Sequence, residues 1–195
     1  MVILYTQKNL VMLNKLITYD YDMLERLSNI VCSITSLNPI SANHVYNPNG
    51  KLSGLTQRRN GAKVAETGYG YDTEQRFASL TTTKSDSTTI LGLNYTYNDA
   101  QQITQIAKYA YAEYQHRYAT NRFMYDARDQ LSKEAHYSNT PALQYSNIFF
   151  YDQAQNRVMS VAGLGEAGSL STDTYFYALA NKLIARDATI QFETG

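Results

Sequence analysis

Residues 69–77 read Tyr69-Gly70-Tyr71-Asp72-Thr73-Glu74-Gln75-Arg76-Phe77. An aromatic-x-Tyr step sets both rings on one face of an extended strand, because strand side chains alternate with period two. Tyrosine itself favours strands. Asp72 then opens a turn, since its carboxylate can accept the backbone N–H two residues on. If the chain doubles back there, Asp72 pairs across the hairpin with Arg76, and Tyr71 meets Phe77. The stretch therefore reads as two antiparallel strands joined by a short turn.

The pattern recurs along the chain. Its seven copies are Tyr19-Asp-Tyr21-Asp22, His44-Val-Tyr46-Asn47, Tyr69-Gly-Tyr71-Asp72, Tyr95-Thr-Tyr97-Asn98, Phe123-Met-Tyr125-Asp126, Phe149-Phe-Tyr151-Asp152 and Tyr175-Phe-Tyr177-Ala178. The second aromatic is always Tyr, and the gaps between successive copies are 25, 25, 26, 28, 26 and 26 residues. Self-similarity at such a period marks a repeat architecture. Five residues after each anchor stands a long polar or basic side chain: Arg26, Lys51, Arg76, Gln102, Gln130, Asn156 and Lys182. The next residue is apolar in six copies, Leu27, Leu52, Phe77, Ile103, Leu131 and Leu183. The sixth copy has Arg157 there with Val158 behind it, as though that turn held one extra residue.

Two details leave the geometry open. Asn47-Pro48-Asn49-Gly50 suits a turn closed by a left-handed residue, but the other copies close on Glu25, Gln75, Gln101, Asp129, Gln155 and Asn181. A left-handed non-glycine costs about 1 kcal/mol, so some turns are expected to differ in type. Ile30, Leu55, Leu80 and Ile106 lie three residues after the first apolar position, an odd step in a strand. Either both sheet faces are covered or a bulge follows each hairpin. Residues 103–118 fit a helix or a strand by spacing, and the unbroken repeat favours a strand.

Each repeat of 26 or so residues holds two strands. Seven give about fourteen, more than an open twisted sheet usually holds without curling. The expected fold is all-β, a curved antiparallel sheet acting as a solenoid wall over residues 19–195, with residues 1–18 a lead-in formed by the tail of an earlier repeat.

Composition narrows the function. The 195 residues carry 17 Lys plus Arg against 17 Asp plus Glu, for a formal net charge of zero. That removes the basic excess on which nucleic-acid or anionic-membrane binding relies. A single Cys excludes an internal disulfide and a cysteine-based zinc site. No apolar run approaches the roughly 20 residues of a membrane helix, and the start shows no signal-peptide pattern. The chain holds 18 Tyr, roughly three times the usual share. Eleven of the 18 fall on the two anchor columns: Tyr19, Tyr21, Tyr46, Tyr69, Tyr71, Tyr95, Tyr97, Tyr125, Tyr151, Tyr175 and Tyr177. With the turn residues Asp22, Asp72, Asp126 and Asp152 they form the candidate structural site.

The repeated aromatic-x-Tyr-Asp-x-x-x-Arg-Leu resembles the YD repeat of RHS proteins, which include the C components of bacterial toxin complexes and the teneurins. Asn121-Arg-Phe-Met-Tyr-Asp-Ala-Arg-Asp-Gln-Leu131 resembles the toxin-complex variety most closely. Tyr151-Asp-Gln-Ala-Gln-Asn-Arg157 is similar to the YD-x-x-Gly-Asn-Arg form, with Gln155 in place of Gly. The resemblance implies a β-strip spiralling into a hollow shell that, in toxin members, encloses an effector released by self-cleavage. The self-cleavage segment has no counterpart here: Pro occurs at 39, 48 and 141, and none follows Asp. On this reading the chain is a stretch of shell wall, from a truncated or split gene product, without catalytic residues or cofactors. Its partners are a further RHS/YD-repeat chain or a second copy, joined through open sheet edges. Secretion or surface display is expected if it serves a toxin or adhesion system. An adhesive module, binding glycan or protein, is the alternative.

Competing motifs are weak. Gly163-Leu-Gly165-Glu-Ala-Gly168 satisfies G-x-G-x-x-G, but a dinucleotide site needs a helix after it, and Tyr175 opens a strand within ten residues. It reads as an inter-repeat turn. His44, His116 and His136 have no metal-ligand spacing, and His44 fills an aromatic column as a packing ring. Cys32 reads as half-buried and inert.

Overall fold

A computed structural model describes residues 7–12, 15–35, 37–112, 115–138, 142–164, 170–178 and 182–191. All regular structure among them is β. The strands are β1 (Gln7–Met12), β2 (Lys15–Tyr21), β3 (Leu27–Ile34), β4 (Ile40–Tyr46), β5 (Leu52–Arg59), β6 (Ala62–Tyr71), β7 (Phe77–Lys84) and β8 (Thr89–Tyr97). There follow β9 (Ile103–Ala112), β10 (Gln115–Tyr125), β11 (Leu131–Tyr137), β12 (Leu143–Tyr151), β13 (Arg157–Leu164), β14 (Leu170–Ala178) and β15 (Lys182–Gln191). Each is hydrogen-bonded to its neighbour in the chain, in the order β1 to β15, and every described pairing is antiparallel. Residues 103–112 are strand, as the unbroken repeat predicts.

The chain divides into two compact units. The first comprises Met1–Leu93 with Ala110–Glu113, and the second Asn94–Tyr109 with Tyr114–Gly195. Among the described residues Ala135, 4% exposed, is the single apolar side chain fully withdrawn from water. Most others are half-buried. Stability therefore comes from cross-strand contacts spread over the sheet, each a fraction of a kcal/mol to about 1 kcal/mol.

The odd step after each hairpin is a bulge. In the first copy Tyr21 opposes Leu27, but Asp20 opposes Asn29, which leaves Ser28 as the extra residue. The same shift occurs at Val45/Tyr46, Gly70/Tyr71, Met124/Tyr125, Phe150/Tyr151 and Phe176/Tyr177. The bulge reconciles the two apolar positions. Tyr21 meets Leu27 and Tyr19 meets Ile30 on one face, although residues 27 and 30 are an odd step apart. Likewise Tyr71 meets Phe77 and Tyr69 meets Leu80.

Two turn expectations need correction. The six described turns do not differ in type: Glu25, Gln75, Gln101, Asp129 and Gln155 all hold positive φ between 59° and 69°, beside Gly50 at 80°, while Asn181 lies outside the described residues. The six described turns share one pair of bonds, shown by Asp22 N–H to the Arg26 carbonyl (2.8 Å) and Glu25 N–H to the Asp22 carbonyl (3.0 Å). The side-chain bonds of the opening residue, described below, hold the closing residue left-handed despite its cost. The sixth turn has no extra residue either. Tyr151 opposes Arg157 directly, so the arginine occupies the apolar column, where its guanidinium lies 4.7 Å from the Tyr175 ring centroid. Relief of left-handed strain gives a prediction. Glu25→Gly is expected to raise the unfolding free energy by about 0.5–1 kcal/mol, measured by urea denaturation.

Candidate functional site: the repeat turns and the tyrosine stitch

The turn residue works through both carboxylate oxygens. Asp72 Oδ1 accepts from the backbone N–H of Glu74 (3.0 Å) and Arg76 (2.8 Å), and Oδ2 accepts from Arg76 Nε (2.7 Å). Asp22 repeats this with Leu24 and Arg26. The expected cross-strand pairs form, with ion-pair distances of 2.7 Å in both copies. Elsewhere the chemistry is substituted but the geometry is kept. Asn47 Oδ1 accepts from Lys51 N–H (2.9 Å), Asn98 Oδ1 from Gln102 N–H (2.9 Å) and Asp126 Oδ1 from Gln130 N–H (3.0 Å). Asp152 takes both the backbone N–H (2.8 Å) and Nδ2 (2.9 Å) of Asn156.

These bonds hold several carboxyls below the usual aspartate range. For Asp22 the leading cause is the Arg26 side-chain bond, and for Asp152 the Asn156 side-chain bond. For Asp72 desolvation pushes the pKa up, and the Arg76 side-chain and backbone bonds together outweigh it. A carboxyl whose folded pKa is depressed adds stability above its unfolded pKa and loses it as pH falls through the folded value. Tyr125 and Tyr151 are shifted the other way, raised by desolvation. Their contribution is present below the unfolded tyrosine value, about 10, and is lost as pH rises through the folded one. Stability is therefore expected to plateau between about pH 5 and 9 and to fall on both sides, measured by thermal melting across pH.

The anchor tyrosines join one repeat to the next. Tyr46 Oη donates to the Leu27 carbonyl (2.9 Å) and Tyr71 Oη to the Leu52 carbonyl (2.8 Å) in the first unit. In the second unit Tyr125 donates to Ile103, Tyr151 to Leu131 and Tyr177 to Arg157, each at 2.8 Å. The acceptor is always the first residue after the preceding repeat's turn. That column begins the strand just before the bulge, and the hydroxyl of the next hairpin reaches its carbonyl.

The polar column adds a second tie. Arg26 lies 4.4 Å from the Tyr46 ring centroid and Lys51 5.1 Å from that of Tyr71, cation–π contacts reaching into the following repeat. Lys51 Nζ also donates to the Gln75 carbonyl. Gln102 Nε2 donates to the Asp129 carbonyl (3.1 Å) and Gln130 Nε2 to that of Gln155 (3.4 Å). In these three ties the acceptor is the left-handed residue closing the next turn.

The first aromatic column packs on the same face, and Tyr175 Oη also meets Ser160 Oγ at 3.4 Å. Tyr19, Tyr69 and Tyr175 lie on β2, β6 and β14, one face with their Tyr partners. Tyr95 and Tyr97 end β8 and hold the same places in the fourth copy. His44 faces Leu55, as a packing ring would, and its Nδ1 is buried without a partner. His136 stacks on Tyr145 at 5.0 Å and bonds Asn121 through Nδ1 at 2.8 Å. His116 lies in β10, with its side chain outside the described residues. Cys32 is half-buried and free. Among the described residues no group of three His, Cys, Asp or Glu could hold a metal. Gly163 opens the glycine motif inside β13, residues 165–169 lie outside the described residues, and strand β14 begins at Leu170. No helix of the described residues is long and apolar enough to cross a membrane.

Two features went unread in the sequence. Asn60-Gly61, both at positive φ, makes the two-residue turn from β5 to β6, and Asn-Gly is a strong hairpin signal. The bulge column is Ser28, Ser53, Ala78, Ser132, Val158 and Ile184, small in its first four members. Ser53 Oγ and Thr104 Oγ1 donate back across the hairpin to the carbonyls of Val45 and Thr96, each at 3.2 Å.

The sequence matches no family model and no curated protein. The structure is similar to crystal structures of TcdB2-TccC3 without its hypervariable C-terminal region (TM-score 0.70), of TcdB2-TccC3-Cdc42 (0.69) and of TcdB2-TccC3-TEV (0.68). Each is 16% identical, and the match covers 87% of this chain and 9% of the other. The chain thus spans under a tenth of the length of these three proteins. The likeness is one of fold, in agreement with the resemblance of its repeats to the toxin-complex C components.

Proposed function

We propose that the protein is a non-enzymatic scaffold, a length of RHS/YD-repeat wall. One observation carries this reading: the residues that recur are consumed in joining the wall together. Five anchor hydroxyls are spent on carbonyls of the preceding repeat, and the turn carboxylates on their own turns. A catalytic acid or nucleophile needs a free, positioned group, and an atom already committed to a structural bond is a poor one. The same commitment argues against the anchor tyrosines as sugar-stacking platforms, since Arg26 and Lys51 lie against the Tyr46 and Tyr71 rings.

The outer strands of the order are β1 and β15. Unpaired strand edges are templates for further pairing, and the partner expected there is another YD-repeat segment or a second copy. Sedimentation velocity across a range of concentrations tests this. Concentration-dependent association is expected, and a single monomeric species at all concentrations would contradict it. A glycan array separates the adhesive reading: specific hits on the folded protein would favour a binding module over a wall.

A further inference from the structure

The first unit carries a groove at the end of the hairpins away from the repeat turns. It has a volume of about 380 Å³ and includes Ile30, Ile40, Ala42 and Val64, with Arg58 and Arg59 beside them. Register explains why it opens there. β4 begins at Ile40, opposite Cys32, while β3 runs on to Ile34, so the end of β3 has no β4 partner beside it. Across the next pair, Ile40 faces Arg59 and Ala42 faces Gln57. A bulge between Gln57 and Arg58 then inserts Val64 as the extra residue of β6. Bulges of this kind re-aim side chains.

The chemistry of the lining is two-sided. Ile40 is 50% exposed and Val64 49%, large apolar groups left in water at a concave surface. Arg58 bonds the Gly61 carbonyl at 3.2 Å, and the nearby Glu66 is held by Lys63 at 3.0 Å. Among the described residues no carboxylate pairs with Arg58 or Arg59. Guanidinium is the side chain best matched to a carboxylate, which it can hold through two parallel bonds. Apolar pockets with a few convergent polar groups, roughly 300–1,000 Å³, are the usual form of small-molecule sites. This one sits at the small end, which suits a single short chain rather than a two-chain lipid.

We propose that the groove is a binding site for a free single-chain amphiphile with a carboxylate headgroup. The chain lies along Ile30, Ile40, Ala42 and Val64, and the headgroup meets Arg59, which faces Ile40 across the β4–β5 pair. Calorimetric titration with decanoate, against decyltrimethylammonium as a cation of equal chain length, tests it on the intact protein. Decanoate is expected to bind at least ten times more tightly than the cation. Arg59→Glu and Val64→Glu are each expected to weaken decanoate at least tenfold with an unchanged circular-dichroism spectrum. Arg59→Lys should lose only a few-fold, and Phe150→Ser, in the other unit, should lose nothing. Equal binding of the two amphiphiles, or decanoate binding untouched by both Glu variants or lost equally in Phe150→Ser, would overturn the site. Binding to decanoate-free anionic phospholipid vesicles with none to decanoate would also overturn it.

Discussion

Tyr71→Phe is expected to lower the unfolding free energy by about 1–2 kcal/mol, the cost of leaving a part-buried carbonyl without its donor. The hydroxyl is the group that reaches the Leu52 carbonyl at 2.8 Å. The ring has its own contacts, edge-on to Phe77 at 5.9 Å and beneath Lys51 Nζ at 5.1 Å. Phe keeps those contacts and loses only the stitch. Tyr71→Ala loses both, and about 2–4 kcal/mol is expected, below the full cost of a buried aromatic because the ring is half-exposed. Urea denaturation of the three proteins separates the two contributions. Equal stability of wild type and Tyr71→Phe would mean that the hydroxyl does not hold successive repeats together. The double variant Tyr71→Phe with Tyr151→Phe should be additive, because the two stitches share no partner.

Ala135→Leu is expected to cost about 1–3 kcal/mol by overpacking. Ala135 sits in β11 opposite Arg122 on one side and Ser146 on the other. Arg122 starts opposite the alanine, and its guanidinium lies 4.9 Å from the Tyr137 ring centroid, on the same sheet face two residues along. A leucine there must displace that contact. Ala135→Ser, nearly the same size, should cost much less. A Leu variant as stable as wild type would show that the site is not truly filled. Thermal melting of the three proteins reads the difference, with the Leu variant lowest.

The hairpin was legible because it is encoded within nine residues. Tyr71, Asp72, Arg76 and Phe77 each state a local role, and the structure gives each that role. Repetition then supplied the strand order, since short connections force sequential hairpins to lie side by side. The stitch was not legible in the same way. It joins Tyr71 to Leu52, 19 residues back, and depends on the register between hairpins. That register is adjusted by bulges, and a bulge of one residue flips every side chain beyond it to the other face. The odd spacing of Ile30 from Leu27 recorded the bulge without identifying it. Arg157 was misread for a related reason. An arginine in an apolar column suggests a slipped turn, whereas here its stem fills the column and its charge rests on Tyr175, as long cationic side chains can do. The groove between β3 and β6 was invisible, because its residues come from four strands and share no motif.

The central claim is that successive hairpins are joined by the second anchor tyrosine. Long-range nuclear Overhauser contacts on the folded protein test it most directly. The predicted result is contact from the Tyr46 ring to Leu27 and from the Tyr71 ring to Leu52, together with the within-hairpin contacts Tyr19–Ile30 and Tyr69–Leu80. Tyrosine rings that contact only their own hairpins, or that lie on opposite faces in alternate repeats, would contradict it.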